Sequence, residues 1–306
     1  MKILISGSSG LVGMALTKNL KRLGHTVVPL VHDDNKSNGK KDLTWSIFYK
    51  QVNIKAFENI DCVIHLAGAN VAKPWTSKNK RAILDSREQG TRLLCQTILE
   101  HKLPIKKFIS TSAIGYYSDP SIEILTEESL NSSSFLGDVC RRWEHEIAPI
   151  AATEIELSIV RVGLVLSKTG GVFPVSAKTR KLGVVPITGS KNNYWSWIHL
   201  HDLVKIYTAL AVGELPSGTY NAVAPHAVTQ EKFAKALLSA TKEAKQTFIP
   251  LSFMPVVPAF LLKILLGERS ILPLTNQHVS SQKIQNQGFI FDYPTISPAI
   301  ENLIND

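Results

Sequence analysis

Short apolar runs alternate with amphipathic stretches along most of this chain, and most regularly through its first 165 residues. An apolar run predicts a buried β-strand, and a stretch with apolar residues every three or four positions predicts an α-helix. The predicted strands are Lys2–Ile5, Thr26–Val31, Cys62–Leu66, Lys107–Ser110, Glu156–Arg161 and, later, Thr219–Ala222; the predicted helices are Leu11–Leu23, Lys78–His101, Phe135–Ala151, Leu200–Ala211 and Thr229–Thr241. Because this alternation forms a parallel sheet with helices on both faces, the pattern predicts a doubly wound α/β fold.

The pattern loosens after Arg161, where glycine and proline mark loops between shorter elements. We expect residues 1–169 to form the main domain, with residues 196–225 returning to it. Residues 170–306 are expected to form a smaller C-terminal lobe. Its tail, from about residue 250, is rich in proline and apolar residues and forms a segment of its own.

The composition predicts a globular protein with a large core and no membrane segment. The chain has 306 residues, of which 44% are hydrophobic and 19% charged, an ordinary balance for a globular enzyme. No apolar run reaches the roughly 18–20 residues that a membrane-spanning helix needs. The nearest, Val256–Leu266, is interrupted by Pro258 and Lys263. The first residues enter a predicted strand directly and show no signal-peptide pattern.

The spacing of the cysteines indicates the cellular compartment, and the net charge limits the classes of binding partner. Cys62, Cys95 and Cys140 are far apart and lack Cys-x-x-Cys spacing, which argues against a disulfide framework or a zinc ribbon and favours the cytoplasm. The net charge is +9, but the basic residues are dispersed and their densest cluster, Lys36–Lys41, lies in a polar stretch. We therefore expect no nucleic-acid partner, and the charge also suits an anionic cofactor.

A glycine turn at the start of the chain carries the clearest chemical signal. Gly7, Gly10 and Gly13 follow the first predicted strand and open the first predicted helix. Such a turn brings the backbone close to a pyrophosphate and directs a helix N-terminus at it, which predicts dinucleotide binding. A tight packing turn without a ligand is the alternative. The residues expected to contact the cofactor here are Gly7, Ser9, Gly10, Leu11, Val12 and Gly13.

Four further segments end predicted strands or open a helix, in a characteristic order. They are His65-Leu66-Ala67-Gly68, Ile109 to Tyr116, Arg161-Val162-Gly163-Leu164-Val165-Leu166 and Ser196-Trp197-Ile198-His199-x-x-Asp202. Together with the glycine turn they resemble the extended short-chain dehydrogenase/reductase superfamily, which includes nucleotide-sugar epimerases and dehydratases. The resemblance implies a Rossmann-type parallel sheet, a nicotinamide cofactor and a small-molecule substrate.

Other segments narrow the resemblance to one atypical branch. They are Lys80–Arg87 with Thr91, Val139–Glu144, Asn221-x-x-Ala224-Pro225, Leu266-Gly267-Glu268 and Gly288-Phe289-x-Phe291. They look like the NAD(P)-dependent epimerase family proteins that carry a C-terminal domain of unknown function, some of which are labelled cell-division inhibitors. The resemblance covers nearly the whole chain, but it does not name a reaction.

The superfamily's catalytic Tyr-x-x-x-Lys pair is missing from this chain. In relatives the tyrosine moves the proton that accompanies hydride transfer, and a serine at the preceding strand end orients the substrate. Ser112 matches that serine. The tyrosine position falls at or near Leu136 and the lysine position at Cys140. Cys140 is interpreted as a small buried residue, although neighbouring arginines would also suit a reactive thiol.

Three interpretations of this departure stay open. Another residue supplies the proton, with Tyr116, Asp138 and Arg141 nearby in sequence; the protein binds the cofactor without turnover; or solvent supplies the proton. The first predicts an oxidoreductase or epimerase-like isomerase that uses Ser112 and Tyr116. The second predicts a cofactor-binding sensor or interaction protein.

The choice between NADP and NAD depends on the end of the second predicted strand. A carboxylate about 20 residues after the glycines favours NAD, whereas a basic residue favours NADP. Here Val31-His32-Asp33-Asp34 is followed by the basic cluster Lys36–Lys41. The branch often has arginine at the position of His32, and we therefore expect NADP, with NAD possible.

The resemblance implies further cofactor contacts near the ends of the later strands. These are Leu66, Ala67, Gly68, Arg87, Arg161 and Val162. His199, His201 and Asp202 superficially suggest a metal site, but no further ligand cluster accompanies them and a structural role fits better, so no metal is expected. A homodimer through the long helices is possible.

Overall fold

The computed structural model describes residues 1–33, 43–117, 123–180, 184–240 and 254–305. With these gaps, the chain divides into two compact units. The first comprises Met1–Ser118, Leu130–Arg161 and Leu203–Tyr220, and the second comprises Asp119–Ser129, Val162–Asp202 and Asn221–Asp306. The predicted domain boundary at residue 169 stays a prediction, because compact units need not be domains that fold separately.

An eight-stranded sheet forms the centre of the fold, in the order β12-β7-β6-β5-β1-β2-β3-β4. Its strands are β1 (Lys2–Ser6), β2 (Thr26–His32), β3 (Thr44–Ser46), β4 (Gln51–Val52), β5 (Cys62–His65), β6 (Lys107–Ala113), β7 (Glu156–Val162) and β12 (Gly218–Ala222). Neighbours from β6 across to β3 pair in parallel, and β4 is antiparallel to β3. The predicted doubly wound parallel sheet is confirmed.

The sheet order reverses direction at β1, which pairs with β2 on one side and β5 on the other. Leu4 lies opposite Val28 and Val63 in these two ladders, and β1 from Ile3 to Ser6 and the whole of β5 are buried. In open α/β sheets a ligand binds at the carboxyl ends of the strands where the order reverses. In this chain those ends carry Gly7 after β1 and Leu66 after β5.

Helices follow the strands of the first unit, which also includes α6 from Leu203 onward. They are α1 (Leu11–Arg22), α2 (Ser77–Glu100), α3 (Phe135–His145), α4 (Ala148–Ala151) and α6 (Leu200–Val212). The side chains of Thr76 and Ser134 accept hydrogen bonds from the first turns of α2 and α3, which fixes where these helices begin.

The single helix predicted over Phe135–Ala151 is two helices in the structure. The first ends at His145 and the second begins at Ala148. Pro149 explains the break, since its ring would meet the carbonyl of His145 in a continuous helix and it has no N–H to donate. Strands β3 and β4 were not predicted, because they have only three and two residues and no apolar run marks them.

The second unit contains small sheets and short helices. Its strands pair as β8 (Leu164–Leu166) with β11 (Trp197–His199), β10 (Tyr194–Trp195) with β13 (Val228–Thr229), and β9 (Ile187–Thr188) with β14 (Val256–Val257). Its other helices are α5 (Phe173–Arg180), α7 (Gln230–Ser239), α8 (Ala259–Leu266), α9 (Ile271–Leu274), α10 (Gln282–Asn286) and α11 (Ile296–Asn305). Within the described ranges, no helix combines the length and apolarity required to cross a bilayer.

Candidate cofactor and substrate site

The glycine turn connects β1 to α1 in a geometry that only glycine permits at two of its positions. Gly7 has a φ of +74°, and a Cβ there would lie 2.8 Å from the amide nitrogen of Ala67. A Cβ on Gly13 would overlap the carbonyl oxygen of Gly7. Gly10 is less restricted, with the same oxygen 3.3 Å away. Close packing of the turn on the end of β5 therefore accounts for Gly7, and close packing within the turn accounts for Gly13, without a ligand.

The N-terminus of α1 offers uncapped backbone N–H groups, which close packing of the turn does not require. Gly10 precedes the helix, no side chain caps its first turn, and that turn contains no acidic residue. Ser9 and Gly10 are exposed. Uncapped N–H groups at a helix N-terminus attract an anion. The turn can therefore receive a pyrophosphate on Leu11, Val12 and Gly13.

The segment after β5 lies directly against the turn. A Cβ on Gly7 would be 2.9 Å from the carbonyl carbon of Leu66, so Leu66, Ala67 and the turn form one continuous backbone surface. His65 itself faces inward, with Nδ1 2.6 Å from the hydroxyl of Ser6 and Nε2 3.0 Å from that of Thr91. Burial, together with the charge of Arg87, lowers the pKa of His65 to about 4.

Arg87 on α2 reaches back to this same edge of the sheet. Its Nη1 donates to the carbonyl oxygens of Ala69, at 3.0 Å, and Ile83, at 3.2 Å. A Cβ on Gly68 would lie 3.0 Å from its guanidinium carbon, so glycine at 68 leaves the space that the cation fills. Its guanidinium lies 5.0 Å from the centre of the Trp143 ring, and burial lowers its pKa.

No carboxylate pairs with Arg87 in the part of the chain that the structure describes. A half-buried guanidinium without an internal counter-charge favours an anionic ligand, because two of its donor groups are not used by the two backbone carbonyls. Ser86 accepts a hydrogen bond from the Ala69 amide at 2.9 Å. The Ser-Arg pair thus ties the loop after β5 to α2.

The end of β2 presents His32, which is exposed and lies edge-on to Trp45 with ring centres 5.6 Å apart. Val31 and Asp33 are half-buried on either side of it. Asp34 and the basic cluster Lys36–Lys41 lie outside the described residues, so the predicted preference for NADP rests here on His32.

Ser112 lies near the end of β6 and belongs to a buried polar cluster. Its hydroxyl donates to Oε1 of Glu144 at 2.7 Å. Arg161 donates to both oxygens of Glu144, from Nε at 2.9 Å and from Nη2 at 2.7 Å, and its Nη1 donates to the hydroxyl of Tyr117 at 2.9 Å. The guanidinium of Arg161 is therefore held inside the fold by Glu144 and Tyr117.

Sequence reasoning missed Glu144 and Tyr117 as members of this cluster. The available signal was the helix period, because Leu136, Cys140 and Glu144 are spaced by four residues and so share one face of α3. The face that carries tyrosine and lysine in the superfamily thus carries a carboxylate one turn further on. No sequence pattern pointed to Tyr117, which contacts Arg161 through the tertiary fold.

The residues at the missing tyrosine and lysine positions do not supply a proton carrier. Leu136 packs near Gly115, where a Cβ would approach it to 3.4 Å. Cys140 is buried, and burial raises the pKa of its thiol to about 11 against the opposing effect of Arg87. Asp138 and Arg141, the other sequence candidates, pair with each other on the exposed side of α3, with 2.6 Å between Nη2 and Oδ1.

Tyr116, the predicted proton relay, stacks on Arg161. The guanidinium carbon lies 3.7 Å from the centre of the Tyr116 ring. Its hydroxyl makes no hydrogen bond within the described ranges. Val162 is the last residue of β7 and is half-buried. The cofactor contacts predicted for Arg161 and Val162, and the relay role of Tyr116, stay predictions.

The histidine–aspartate segment has structural partners. Both carboxylate oxygens of Asp202 accept backbone N–H groups, from Asp292 and Tyr293, at 2.9 Å each. His201 Nε2 lies 2.7 Å from the carboxylate of Asp292. Across the described residues, no group of three histidine, cysteine or acidic side chains is placed to hold a metal.

Residues 3–222 match the model of the NAD dependent epimerase/dehydratase family. The chain belongs to this family. Residues 257–303 match a separate domain of unknown function, DUF1731. The expected family and its C-terminal domain of unknown function are thus confirmed, and the family resemblance inferred from the motifs extends through the tail.

Members of the family resemble the chain over its full length. Epimerase family protein SAR0825 of Staphylococcus aureus is 30% identical over 303 residues, 99% of this chain and 98% of the relative. The structure of human epimerase family protein SDR39U1 (isoform 2) with NADPH has a TM-score of 0.83 at 24% identity and covers both chains fully. A nucleoside-diphosphate sugar epimerase from Corynebacterium glutamicum has a TM-score of 0.76 at 30% identity, covering 99% of this chain and 58% of that one.

Proposed function

We propose that this family member is an NADP-dependent oxidoreductase or epimerase-like enzyme acting on a small-molecule substrate. The observation that carries the proposal is the uncapped N-terminus of α1 behind a glycine turn that packs on the end of β5. The turn offers backbone N–H groups to a pyrophosphate. Arg87 adds a cation without an internal carboxylate partner among the described residues.

These residues fit a dinucleotide because space and charge agree. A side chain at Gly7 would fill the space beside Ala67, and one at Gly68 would fill the space beside Arg87. The positive groups nearby complement the negative charge of the phosphates. His32 is exposed where a 2′-phosphate would be met, and the human relative was solved with NADPH. These points favour NADP over NAD, and NAD stays possible.

The cofactor, when bound, supplies a hydride acceptor or donor at its nicotinamide ring. The chain supplies the rest. We propose that Ser112, near the end of β6, holds the reacting oxygen of the substrate. A sugar-nucleotide-like substrate is suggested by the family alone. Membership of a family is stronger evidence for a shared fold than for a shared reaction.

A non-catalytic NADP(H)-binding protein is the second candidate. The observation that favours it is the occupation of the tyrosine and lysine positions by Leu136 and the buried Cys140. Both candidates require the cofactor site, so turnover separates them. The expected homodimer and cytoplasmic location stay predictions.

The first experiment is a titration of the purified protein with NADPH and NADH, read by nicotinamide fluorescence. Arg87→Met is compared with Arg81→Met, which changes an 80% exposed arginine side chain on the same helix. We expect Arg87→Met to weaken NADPH binding about 10-fold or more, the effect of losing a charged hydrogen bond. Arg81→Met should leave the affinity unchanged.

Absence of NADPH and NADH binding by the wild type would overturn both candidates. If NADPH binds, absorbance at 340 nm during a metabolite screen decides between them. Substrate-dependent oxidation that is lost in Ser112→Ala supports the enzyme, whereas a silent screen supports the binding protein.

A further inference from the structure

The carboxylate of Glu144 is aimed at the one side chain that the family places next to the reacting oxygen. The Ser112 hydroxyl donates its single proton to Oε1 of Glu144 at 2.7 Å. A serine hydroxyl has one proton and two lone pairs. With its proton directed at a carboxylate, the oxygen of Ser112 is left to accept a proton from elsewhere.

Arg161 holds the Glu144 carboxylate in place. It binds both carboxylate oxygens, and the side chains of the pair are only 6% and 12% exposed. A bidentate arginine–carboxylate pair of this kind has a fixed geometry. The ring of Tyr116 covers the guanidinium on one face and Tyr117 accepts from its remaining edge, so Arg161 has little freedom to leave Glu144.

A second glutamate–arginine pair, formed by Glu146 just after α3 and Arg92 on α2, shows what a purely structural pair looks like. Glu146 accepts from Nε and Nη2 of Arg92, at 2.8 and 2.6 Å. The Glu146 side chain is 12% exposed, like that of Glu144, but Arg92 is 45% exposed. Of these two pairs, only the Glu144–Arg161 pair accepts a hydrogen bond from a serine hydroxyl among the described residues.

We propose that Ser112 and Glu144 together carry the proton that the missing Tyr-x-x-x-Lys pair carries in relatives. This inference rests on the oxidoreductase proposed above. Ser112 contacts the substrate, and Glu144 is a positioning residue that acts through it. Tyr116 then covers Arg161 and moves no proton.

The step balances in the direction of alcohol oxidation. The O–H bond of the substrate breaks and its proton goes to Oγ of Ser112, while the proton of Ser112 passes to Oε1 of Glu144. The C–H bond breaks and its hydride goes to the nicotinamide of NADP⁺, which is reduced as the alcohol carbon is oxidised to a carbonyl. Carbonyl reduction by NADPH runs the same transfers in reverse.

The test compares Glu144→Gln with the matched control Glu146→Gln. Reduction of 9,10-phenanthrenequinone by NADPH is followed at 340 nm, in H₂O and in D₂O. We expect Glu144→Gln to lower kcat about 100-fold or more, within the range for a lost proton-transfer group. We also expect it to change KM less than threefold and to alter the solvent isotope effect. Glu146→Gln should behave like the wild type.

A readout without turnover accompanies the kinetics. The infrared carboxylate band of Glu144 is assigned by subtracting the spectrum of Glu144→Gln from that of the wild type. We expect Ser112→Ala to shift this band and to leave the Glu146 band in place. The dissociation constant of NADPH should stay within threefold in every variant.

Each outcome either supports or overturns the proton relay through Ser112 and Glu144. An active wild type overturns the relay but keeps the enzyme if Glu144→Gln is equally active, or if Ser112→Ala leaves the Glu144 band in place. A wild type that binds NADPH but reduces neither the quinone nor any compound of the metabolite screen overturns both the relay and the enzyme, and leaves the binding protein. A fall in kcat confined to Glu144→Gln, with the shifted band, supports the relay.

Discussion

The buried Arg161–Glu144 pair allows a sharp prediction about stability. Arg161→Met removes the guanidinium while keeping a side chain of similar reach. It leaves the Glu144 carboxylate without its cation and the Tyr117 hydroxyl without its donor. The matched change is Arg92→Met, which breaks the pair with Glu146, where the arginine is 45% exposed.

The magnitudes follow from burial. Breaking a buried ion pair by removing one partner costs about 3–5 kcal/mol, because the remaining charge has no compensation. Burial alone would lower the pKa of Arg161, but its hydrogen bonds to Glu144 and the charge of that carboxylate outweigh burial and raise it. A pair that is partly in solvent contributes at most about 1 kcal/mol. We therefore expect Arg161→Met to lower the free energy of unfolding by about 3 kcal/mol more than Arg92→Met.

The double variant Arg161→Met/Glu144→Leu tests the reason for the loss. If the stranded carboxylate is the cause, removing it should recover about 1–2 kcal/mol, although the second substitution also removes a partner of Ser112. The assay is urea unfolding at pH 7.5, followed by circular dichroism and by tryptophan fluorescence so that the same transition is compared in each variant. Equal losses for Arg161→Met and Arg92→Met, or a double variant no more stable than Arg161→Met, would refute this reasoning.

Three further predictions follow from the same unit. The free energy of unfolding should fall as the pH falls from about 6.5 toward about 4, by up to about 1.4 kcal/mol per pH unit, because His65 stays neutral in the fold while the unfolded chain takes up a proton. In urea unfolding at several pH values, His65→Gln should flatten this slope, and an unchanged slope would contradict the assignment to His65. Native protein should resist alkylation of Cys140 by iodoacetamide at pH 7.5, as measured by mass spectrometry, because burial raises the thiol pKa to about 11; rapid labelling would contradict its burial. Gly13→Ala should lower the free energy of unfolding in urea by about 3 kcal/mol and abolish NADPH binding, since the new methyl group overlaps the Gly7 carbonyl. Gly10→Ala should lower it by about 1 kcal/mol or less, and equal losses would show that the turn adapts.

The candidate site was only partly visible in the sequence. The glycine turn, Leu66–Gly68 and Arg87 were predicted, and the structure brings them to one edge of the sheet. Their approach could be foreseen because strand ends in a parallel sheet meet at a common edge. Glu144 was not predicted, because a glutamate on an amphipathic helix is ordinarily a solvated residue and its inward direction depends on Arg161.

Local pattern determined the sheet, the position of the glycine turn and the family, because hydrophobic period and backbone freedom are properties of a short stretch of chain. Only the tertiary structure decided which short strands extend the sheet and which partner each charged residue takes. Arg161 lies 17 residues from Glu144 and 44 from Tyr117. Such pairs form because burying one charge requires another, and this requirement is met by the fold as a whole and leaves no mark on the neighbouring sequence.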